Sequence, residues 1–206
     1  MLLDVNQSQL VLVDYQSRLM PAIFENSLVV ANAVRLGKIA RLLQVPVWGT
    51  EENPSRLGEN LPEIRELCSK TLSKMTFSAV EEGLGEWLRP ESPAPKPPAG
   101  NARSLPKHLQ KAVPQTPQLP SRNLIVMAGC EAHVCLLQTS LDLLEDEFDV
   151  WVVADACSSR SERNRDAAVD RLAGAGAELV TTEMVAFEWI RSAEHPQFKA
   201  VLDCVK

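Results

Sequence analysis

Four polar residues of the sequence follow short apolar segments, and their chemistry fits together. They are Asp14, Glu51, Lys74 and Cys135, the last in the turn after its segment. In open parallel sheets, side chains at the carboxyl ends of the strands meet at one edge, where ligands bind. A thiol becomes a nucleophile when a carboxylate takes its proton and a cation steadies the charge, and this requires no histidine. The set predicts a cysteine nucleophile, Cys135, assisted by Asp14 and Lys74.

The position of Cys135 favours this interpretation. A helix is predicted over residues 134–144, so the thiol lies in its first turn. The unpaired N–H groups and the positive end of the helix dipole lower the pKa of a thiol there and can bind an oxyanion. Each residue also has an ordinary structural interpretation. A free cysteine is most often a small buried hydrophobe, a strand-end Asp caps a loop, and a lone Lys is solvated.

Neighbouring residues provide further candidates for contacts with a substrate or an oxyanion. These candidates are Glu51, Phe77, Glu131, Ala132 and His133. His133 precedes Cys135 by two positions, and we interpret it as lining the pocket or packing structurally rather than as a general base. Specificity in such pockets depends on a few side chains from several loops, so the sequence does not predict the substrate.

Several function classes are excluded by the motifs and the charge of the chain. The sequence contains no G-x-G-x-x-G after its first strand, no phosphate-binding G-x-x-x-x-G-K-[ST] and no G-x-S-x-G, which argues against nucleotide cofactors and serine hydrolases. Only three histidines are present, which argues against a metal site. The net charge of −6 argues against a nucleic-acid partner. We therefore expect a small-molecule substrate with no cofactor and no metal.

The segment patterns indicate where the chain resides. No apolar stretch approaches the roughly 20 residues of a membrane span, and the first residues do not resemble a secretory signal. The five cysteines are odd in number and irregular in spacing, which favours a reducing compartment over a disulfide framework. These features predict a cytoplasmic protein.

The apolar pattern predicts alternating strands and helices. Strands are expected at residues 9–14, 45–50, 71–74, 123–129, 149–154 and 177–181. Helices are expected at about residues 26–43, 61–68, 78–88, 134–144, 162–173, 184–192 and 197–205. This alternation predicts a single doubly wound α/β domain: a mainly parallel sheet of about six strands in a Rossmann-like three-layer arrangement, with helices on both faces.

One proline-rich segment interrupts this alternation. Nine of the fourteen prolines lie between residues 90 and 120, which predicts an extended insertion at about 89–121 within a domain that spans 1–206. The insertion joins the end of a helix to the start of a strand. We therefore expect it at the amino edge of the sheet, as a surface or subunit-contact element rather than as a lid over the site.

Several stretches of the sequence resemble the isochorismatase-like cysteine hydrolases, the superfamily that includes nicotinamidases and carbamoyl-amide hydrolases. The matching stretches are LVLVDYQ at 10–16, WGTEENP with the later LG at 48–58, KMTFSA at 74–79, GCEAHVCLLQTSLDLLEDEFDVWVVADACSSRS at 129–161 and HPQFK at 195–199. The resemblance covers nearly the whole chain except the proline-rich insertion. It is closest to the small-hydrolase branch, whose substrates are often unknown.

The resemblance implies a mechanism and an assembly. Asp14, Lys74 and Cys135 occupy the family's catalytic positions, and the Cys130–Glu131 bond matches the family's non-proline cis peptide. Backbone N–H groups of Glu131 and Cys135 would then face the developing oxyanion. The implied reaction is hydrolysis of an amide-type C–N bond through a thioester. The family also implies a homo-oligomer, a dimer or larger.

The sequence departs from the wider family in two ways, and it leaves two alternative functions open. The nicotinamidase branch carries an aspartate and spaced histidines after its second strand, whereas residues 51–54 here have no histidine nearby, so we expect no metal. True isochorismate hydrolases generally lack the cysteine, so Cys135 favours the amide-cleaving side. The alternatives are vinyl-ether hydrolysis of an isochorismate-like acid by Asp14, and a non-catalytic, oligomeric ligand-binding protein.

Overall fold

A six-stranded parallel sheet organises the protein in this computed structural model, which describes residues 1–89 and 122–206. Its strands are β1 Ser8–Val13, β2 Val47–Glu52, β3 Lys70–Lys74, β4 Leu124–Gly129, β5 Asp149–Val153 and β6 Glu178–Val180. They lie in the order β3-β2-β1-β4-β5-β6, and all five pairings are parallel. This order reverses direction between β1 and β4, where ligands of doubly wound sheets bind. The predicted α/β class is confirmed.

Helices cover both faces of this sheet. They are α1 Asn26–Leu42, α2 Pro54–Leu57, α3 Pro62–Arg65, α4 Leu84–Leu88, α5 Leu137–Glu145, α6 Glu162–Ala175, α7 Thr182–Ile190 and α8 Phe198–Val205. One group consists of α1 with α7 and α8, and the other contains α5 and α6. Right-handed crossovers in opposite directions from the centre of the sheet place such groups on opposite faces. No described helix is both long and apolar enough to cross a membrane.

The two central strands form the middle of the core. Every residue of β1 and of β4 is buried, as expected for parallel strands covered on both faces. The strands lie close together at Gly129, where a Cβ atom would lie 2.5 Å from both the backbone oxygen and the Cβ of Val13. Glycine is therefore needed here, and it lets the chain after β4 pass directly beside the residue after Val13, which is Asp14.

Two predicted helices differ from the observed ones. The helix expected over 78–88 is broken, because Gly83 adopts φ +92° between a 3-10 turn, Val80–Glu82, and α4. The helix expected over 134–144 begins earlier, as a π-helical turn over Ala132–Leu136 that continues into α5. Helix α2 was not predicted; its first residue is a proline, which suits a first helical turn.

The predicted insertion falls on residues 90–121, outside the described residues. The residues that flank it meet at the start of β1. Gln9 Nε2 donates to Leu88 O and to Arg122 O, at 2.8 Å each. The chain therefore leaves and re-enters the described structure at the amino edge of the sheet, opposite the edge that carries Asp14 and Lys74.

Candidate active site

Three charged side chains converge at the carboxyl edge of neighbouring strands. Lys74 ends β3 and pairs in register with Glu52, the last residue of β2. Asp14 directly follows β1, and its N–H donates to Thr50 O of β2 at 3.2 Å. Asp14 has φ 53°, a left-handed conformation that Asp tolerates better than most residues. The register of three adjacent strands thus gathers groups that are far apart in sequence.

The Asp14 carboxylate is fully buried and held from two sides. Thr50 Oγ1 donates to Asp14 Oδ1 at 2.6 Å. Lys74 Nζ lies 2.9 Å from Asp14 Oδ2, and both side chains have no exposed surface. This second contact has the distance of an ion pair without the direction of a hydrogen bond, and Oδ2 accepts no hydrogen bond from the described residues. Oδ2 is therefore the oxygen that remains able to take a proton.

The ammonium group of Lys74 is saturated by protein acceptors. Besides Asp14, it contacts Glu52 Oε2 at 2.9 Å, Phe77 O at 3.1 Å and Thr76 O at 3.3 Å. An ammonium has three N–H donors, so none is left for a ligand. Within residues 1–89 and 122–206, no three His, Cys, Asp or Glu side chains form a group that could hold a metal ion.

The charge of Lys74 is secured by its surroundings. Burial acts to lower the pKa of Lys74, but its contacts with the charged cluster, with the Asp14 carboxylate first and Glu52 after it, raise it overall. Lys74 is therefore protonated, and it pairs with Asp14 and Glu52 as an ammonium group.

Cys135 lies in the π-helical turn after β4, only 6% exposed. Burial is the largest factor and the Asp14 carboxylate the next; both raise the pKa of Cys135, and Lys74 lowers it only in part. The expectation that a helix terminus would lower this pKa is therefore wrong in direction, because burial and a neighbouring carboxylate both disfavour the thiolate. The resting thiol is neutral beside an ionic pair.

The backbone before Cys135 has distinctive geometry. The peptide bond between Cys130 and Glu131 is cis, and Cys130 N–H donates to Val13 O at 3.0 Å. Glu131 N–H has no hydrogen-bond acceptor among the described residues. Ala132 N–H, in contrast, donates to Ser158 O at 2.7 Å. Ala132 is therefore removed as an oxyanion candidate, because its donor is already satisfied.

The side chains of Glu131 and His133 make structural contacts. The Glu131 carboxylate pairs with Arg160 Nε at 2.8 Å. His133 Nδ1 lies 2.9 Å from Ser159 Oγ, and His133 Nε2 lies 3.3 Å from the amide nitrogen of Asn164. Because both ring nitrogens of His133 are engaged, it holds the turn against the start of α6 and is not a free base.

Glu51 and Phe77, two predicted candidates for substrate contacts, lie differently relative to the charged cluster. Glu51 Oε1 accepts from Asn60 N–H at 2.8 Å, on the face of β2 opposite to Glu52. Phe77 is 51% exposed, and its backbone oxygen accepts a hydrogen bond from Lys74. Strand β2 was expected to end at residue 50 but runs to Glu52, so Glu52, and not Glu51, contacts Lys74.

Thr50 and Glu52 are the residues that sequence reasoning missed. Strand β2 runs on to Glu52, which puts Thr50 and Glu52 on one face by the period of two. A strand that ends at residue 52 would have placed both residues on one face by its alternating pattern, and the sequence could then have identified them. Their hydrogen bonds to Asp14 and Lys74 make them part of the same cluster.

Known proteins are similar to this chain in sequence and in fold. The profile of the isochorismatase domain matches residues 107–184. Isochorismatase domain-containing protein 2 of Rattus norvegicus is 36% identical over 199 residues, covering 97% of this chain and 81% of the relative. The MAR1 ribonuclease structure from Caenorhabditis elegans has a TM-score of 0.81 at 27% identity, covering 100% of this chain and 92% of that chain.

A second solved structure has the same fold. The YcaC gene product of Escherichia coli, described as an octameric hydrolase of unknown specificity, has a TM-score of 0.76 at 24% identity, covering 98% of this chain and 87% of that chain. The sequence match and the shared parallel-sheet fold place the chain in the class of isochorismatase-like hydrolases. The chain belongs to the isochorismatase-domain family, and the resemblance found in the sequence is confirmed.

Proposed function

We propose that the protein hydrolyses an amide-type C–N bond of a small molecule through a thioester on Cys135. The observation that carries the proposal is the fully buried Asp14–Lys74 pair beside this thiol. Asp14 Oδ2 accepts no hydrogen bond from the described residues, although burial normally forces such atoms to be paired. A carboxylate held in this way is suited to exchange a proton with a neighbouring thiol.

The reaction begins with a neutral thiol, as the raised pKa of Cys135 requires. The thiol proton passes to Asp14 as the sulfur attacks the carbonyl carbon, and the carbonyl electron pair becomes an oxyanion. Asp14 then returns the proton to the leaving nitrogen as the C–N bond breaks, and a thioester remains. Asp14 next takes a proton from water as that water attacks the thioester. As the C–S bond breaks, Asp14 gives this proton to the sulfur, so that the acid is released and the thiol is restored.

Two groups support this sequence of steps. Glu131 N–H is the candidate oxyanion donor, since it has no acceptor among the described residues and lies in the turn that carries Cys135. Lys74 acts by holding Asp14 in place and stabilising its charge, since its three N–H donors are already used by protein oxygens. It is a positioning residue and not a substrate ligand.

Assembly and location complete the proposal. By analogy with the octameric E. coli protein, we expect this chain to form a homo-oligomer, which size-exclusion chromatography with light scattering measures directly. We place the protein in the reducing cytoplasm, because all five cysteines are free. A monomer in that measurement would remove the assembly from the proposal without affecting the chemistry.

The decisive experiment compares Cys135→Ala with Cys68→Ala. Cys68 is a partly buried thiol that hydrogen-bonds Ile64 O, away from the cluster, and it controls for general loss of a cysteine. Ammonia release from a panel of small primary amides measures turnover, and intact-mass spectrometry after p-nitrophenyl acetate measures acylation. We expect Cys135→Ala to lose both and Cys68→Ala to keep both.

The same experiment separates the alternatives. Turnover that survives Cys135→Ala would contradict the thioester and favour vinyl-ether hydrolysis by Asp14. No turnover and no acylation of the wild type would favour a ligand-binding protein. Ribonuclease activity, which the name of the C. elegans neighbour raises, is less compatible with a net charge of −6, and a labelled-RNA assay tests it.

A further inference from the structure

The buried cluster contains one more acidic than basic group. Asp14 Oδ2 and Glu52 Oε2 each lie 2.9 Å from Lys74 Nζ, the only cation that contacts them among the described residues. The side chains of Asp14 and Lys74 have no exposed surface, whereas that of Glu52 keeps 11%. Of the three charged groups, Glu52 is therefore the one that a ligand can touch.

Glu52 is held rigidly but not completely satisfied. Its N–H donates to Gln16 Oε1 and its backbone oxygen accepts from Gln16 Nε2, both at 2.9 Å, and Gln16 is fully buried. Its Oε2 binds Lys74, but its Oε1 accepts no hydrogen bond from the described residues. The residue as a whole is only 8% exposed. The Glu52 side chain keeps 11% of its surface exposed, so water reaches this oxygen and a ligand N–H group can replace that water.

The charge of Glu52 also reaches the nucleophile. After burial and the Asp14 carboxylate, Glu52 adds to the effects that raise the pKa of the Cys135 thiol. A ligand whose carbonyl carbon meets Cys135 therefore lies within the field of Glu52. Lys74 cannot pair with that ligand, because its donors are used.

We infer that Glu52 is a substrate-binding residue that recognises a positively charged nitrogen group, such as an ammonium, amidinium or guanidinium, on the molecule that Cys135 attacks. The inference rests on the proposed function and names its substrate class: small cationic amides. A bound cation balances the surplus negative charge of the cluster and donates to Oε1.

The neighbouring acid provides a matched control. Glu51 precedes Glu52 on the same strand, but its Oε1 accepts from Asn60 N–H on the opposite face of β2. Glu51→Gln and Glu52→Gln remove the same charge from the same strand one residue apart. Only the second change removes the charge from the side that carries Lys74.

Three thiol reagents of different charge test the inference without knowledge of the substrate. Aminoethyl methanethiosulfonate is cationic, sulfonatoethyl methanethiosulfonate is anionic and methyl methanethiosulfonate is neutral. In each case the Cys135 thiolate attacks the outer sulfur, a disulfide forms and methanesulfinate leaves. Rates are read at Cys135 by fragment-ion mass spectrometry. The ratio of the cationic to the anionic rate cancels any change in the thiolate fraction.

With free glutathione as the reference thiol, we expect the ratio for Cys135 in the wild type to be about tenfold higher or more. In Glu52→Gln the ratio falls about tenfold, since a unit charge a few ångströms away acts oppositely on the two reagents. Glu51→Gln keeps the wild-type ratio, and so does Glu52→Asp. An unchanged ratio in Glu52→Gln, or an equal fall in Glu51→Gln, overturns the inference.

Other outcomes also decide the question. If Glu52→Gln fails to fold by circular dichroism, the wild type alone suffices, because a ratio equal to that of glutathione overturns the inference. Reaction of Cys135 without charge preference leaves the proposed hydrolase mechanism standing and removes only the role of Glu52. A Cys135 that reacts with none of the three reagents and is not acylated by p-nitrophenyl acetate removes both.

Discussion

The two edges of the sheet both bury polar side chains, but they satisfy them differently. At the amino edge, Gln9 Nε2 donates to two backbone oxygens and Gln9 Oε1 accepts from Trp48 Nε1 at 2.9 Å. All of its hydrogen-bonding groups have partners, and none is charged. At the carboxyl edge, Asp14 Oδ2 and Glu52 Oε1 lack hydrogen-bond donors among the described residues, and the cluster is ionic.

This contrast distinguishes buried polar groups that stabilise the fold from buried polar groups that are open to other partners. A fully satisfied buried network rigidifies a fold, whereas a partly satisfied one costs stability and persists only where something else requires it. The amino edge therefore serves to join β1 to β2 and to the two chain segments beside it. Under the proposed mechanism, the carboxyl edge keeps one oxygen open for a proton and another open for a ligand.

The largest expected effect comes from Asp14→Asn, which keeps the shape and the Thr50 hydrogen bond but removes the base. Ammonia release from amides falls by about 10²–10⁴-fold, the usual contribution of a general acid–base group. At the same time the pKa of Cys135 falls, because burial remains but the Asp14 charge that raised it is gone. Iodoacetamide labelling of Cys135 therefore shifts to lower pH.

The opposite signs of these two changes make this test specific. Damage to the fold would alter the labelling of every cysteine, whereas loss of the base alters Cys135 and leaves Cys68, whose pKa does not depend on Asp14, unchanged. Turnover above one tenth of the wild-type value in Asp14→Asn would show that another group moves the proton.

Gln9→Ala tests the other edge, with a smaller expected effect. It removes three hydrogen bonds and leaves Trp48 Nε1 and the oxygens of Leu88 and Arg122 without that partner. At about 1 kcal/mol for each bond, more where the group left behind is buried, the free energy of unfolding falls by about 2–4 kcal/mol. Urea denaturation measures this change. The rate of Cys135 labelling by iodoacetamide in the folded protein stays at the wild-type value, and a slower rate would contradict the separation of the two edges.

Sequence reasoning predicted the fold from local patterns. Continuous apolar runs in β1 and β4 and helical periodicity between the strands were sufficient for the parallel α/β class. The contact between Asp14 and Lys74 was accessible too, because carboxyl ends of parallel strands share an edge. These inferences need only the order of elements, not their register.

What the sequence did not reveal depends on register and burial. The contact of Glu52 with Lys74 depends on where β2 ends, and a shift of one residue reverses the face of a strand side chain. The raised pKa of Cys135 follows from its depth and from the distance to Asp14, neither of which a motif encodes. The bond that consumes Ala132 N–H joins it to Ser158, far along the chain.

The smallest expected effect concerns Cys157, a thiol at the carboxyl edge that the mechanism does not use. Burial, partly offset by a hydrogen bond with the Gly129 backbone and reinforced by Asp155, raises its pKa to about 12, against about 8.5 in an unfolded chain. Because the folded protein holds this proton more tightly, its stabilising contribution is complete below about pH 8.5. It is lost as the pH rises towards 12, at up to about 1.4 kcal/mol for each pH unit.

Urea denaturation of wild type and Cys157→Ala at pH 7, 9 and 10 measures this slope. Cys157→Ala costs about 1 kcal/mol at pH 7, from lost packing, but its free energy of unfolding declines less steeply above pH 8.5. Parallel curves for the two proteins would mean that Cys157 ionises without unfolding the edge around it. In that case solvent reaches the carboxyl edge at Cys157 as well as at the charged cluster. The contrast with the closed amino edge then applies to the whole carboxyl edge.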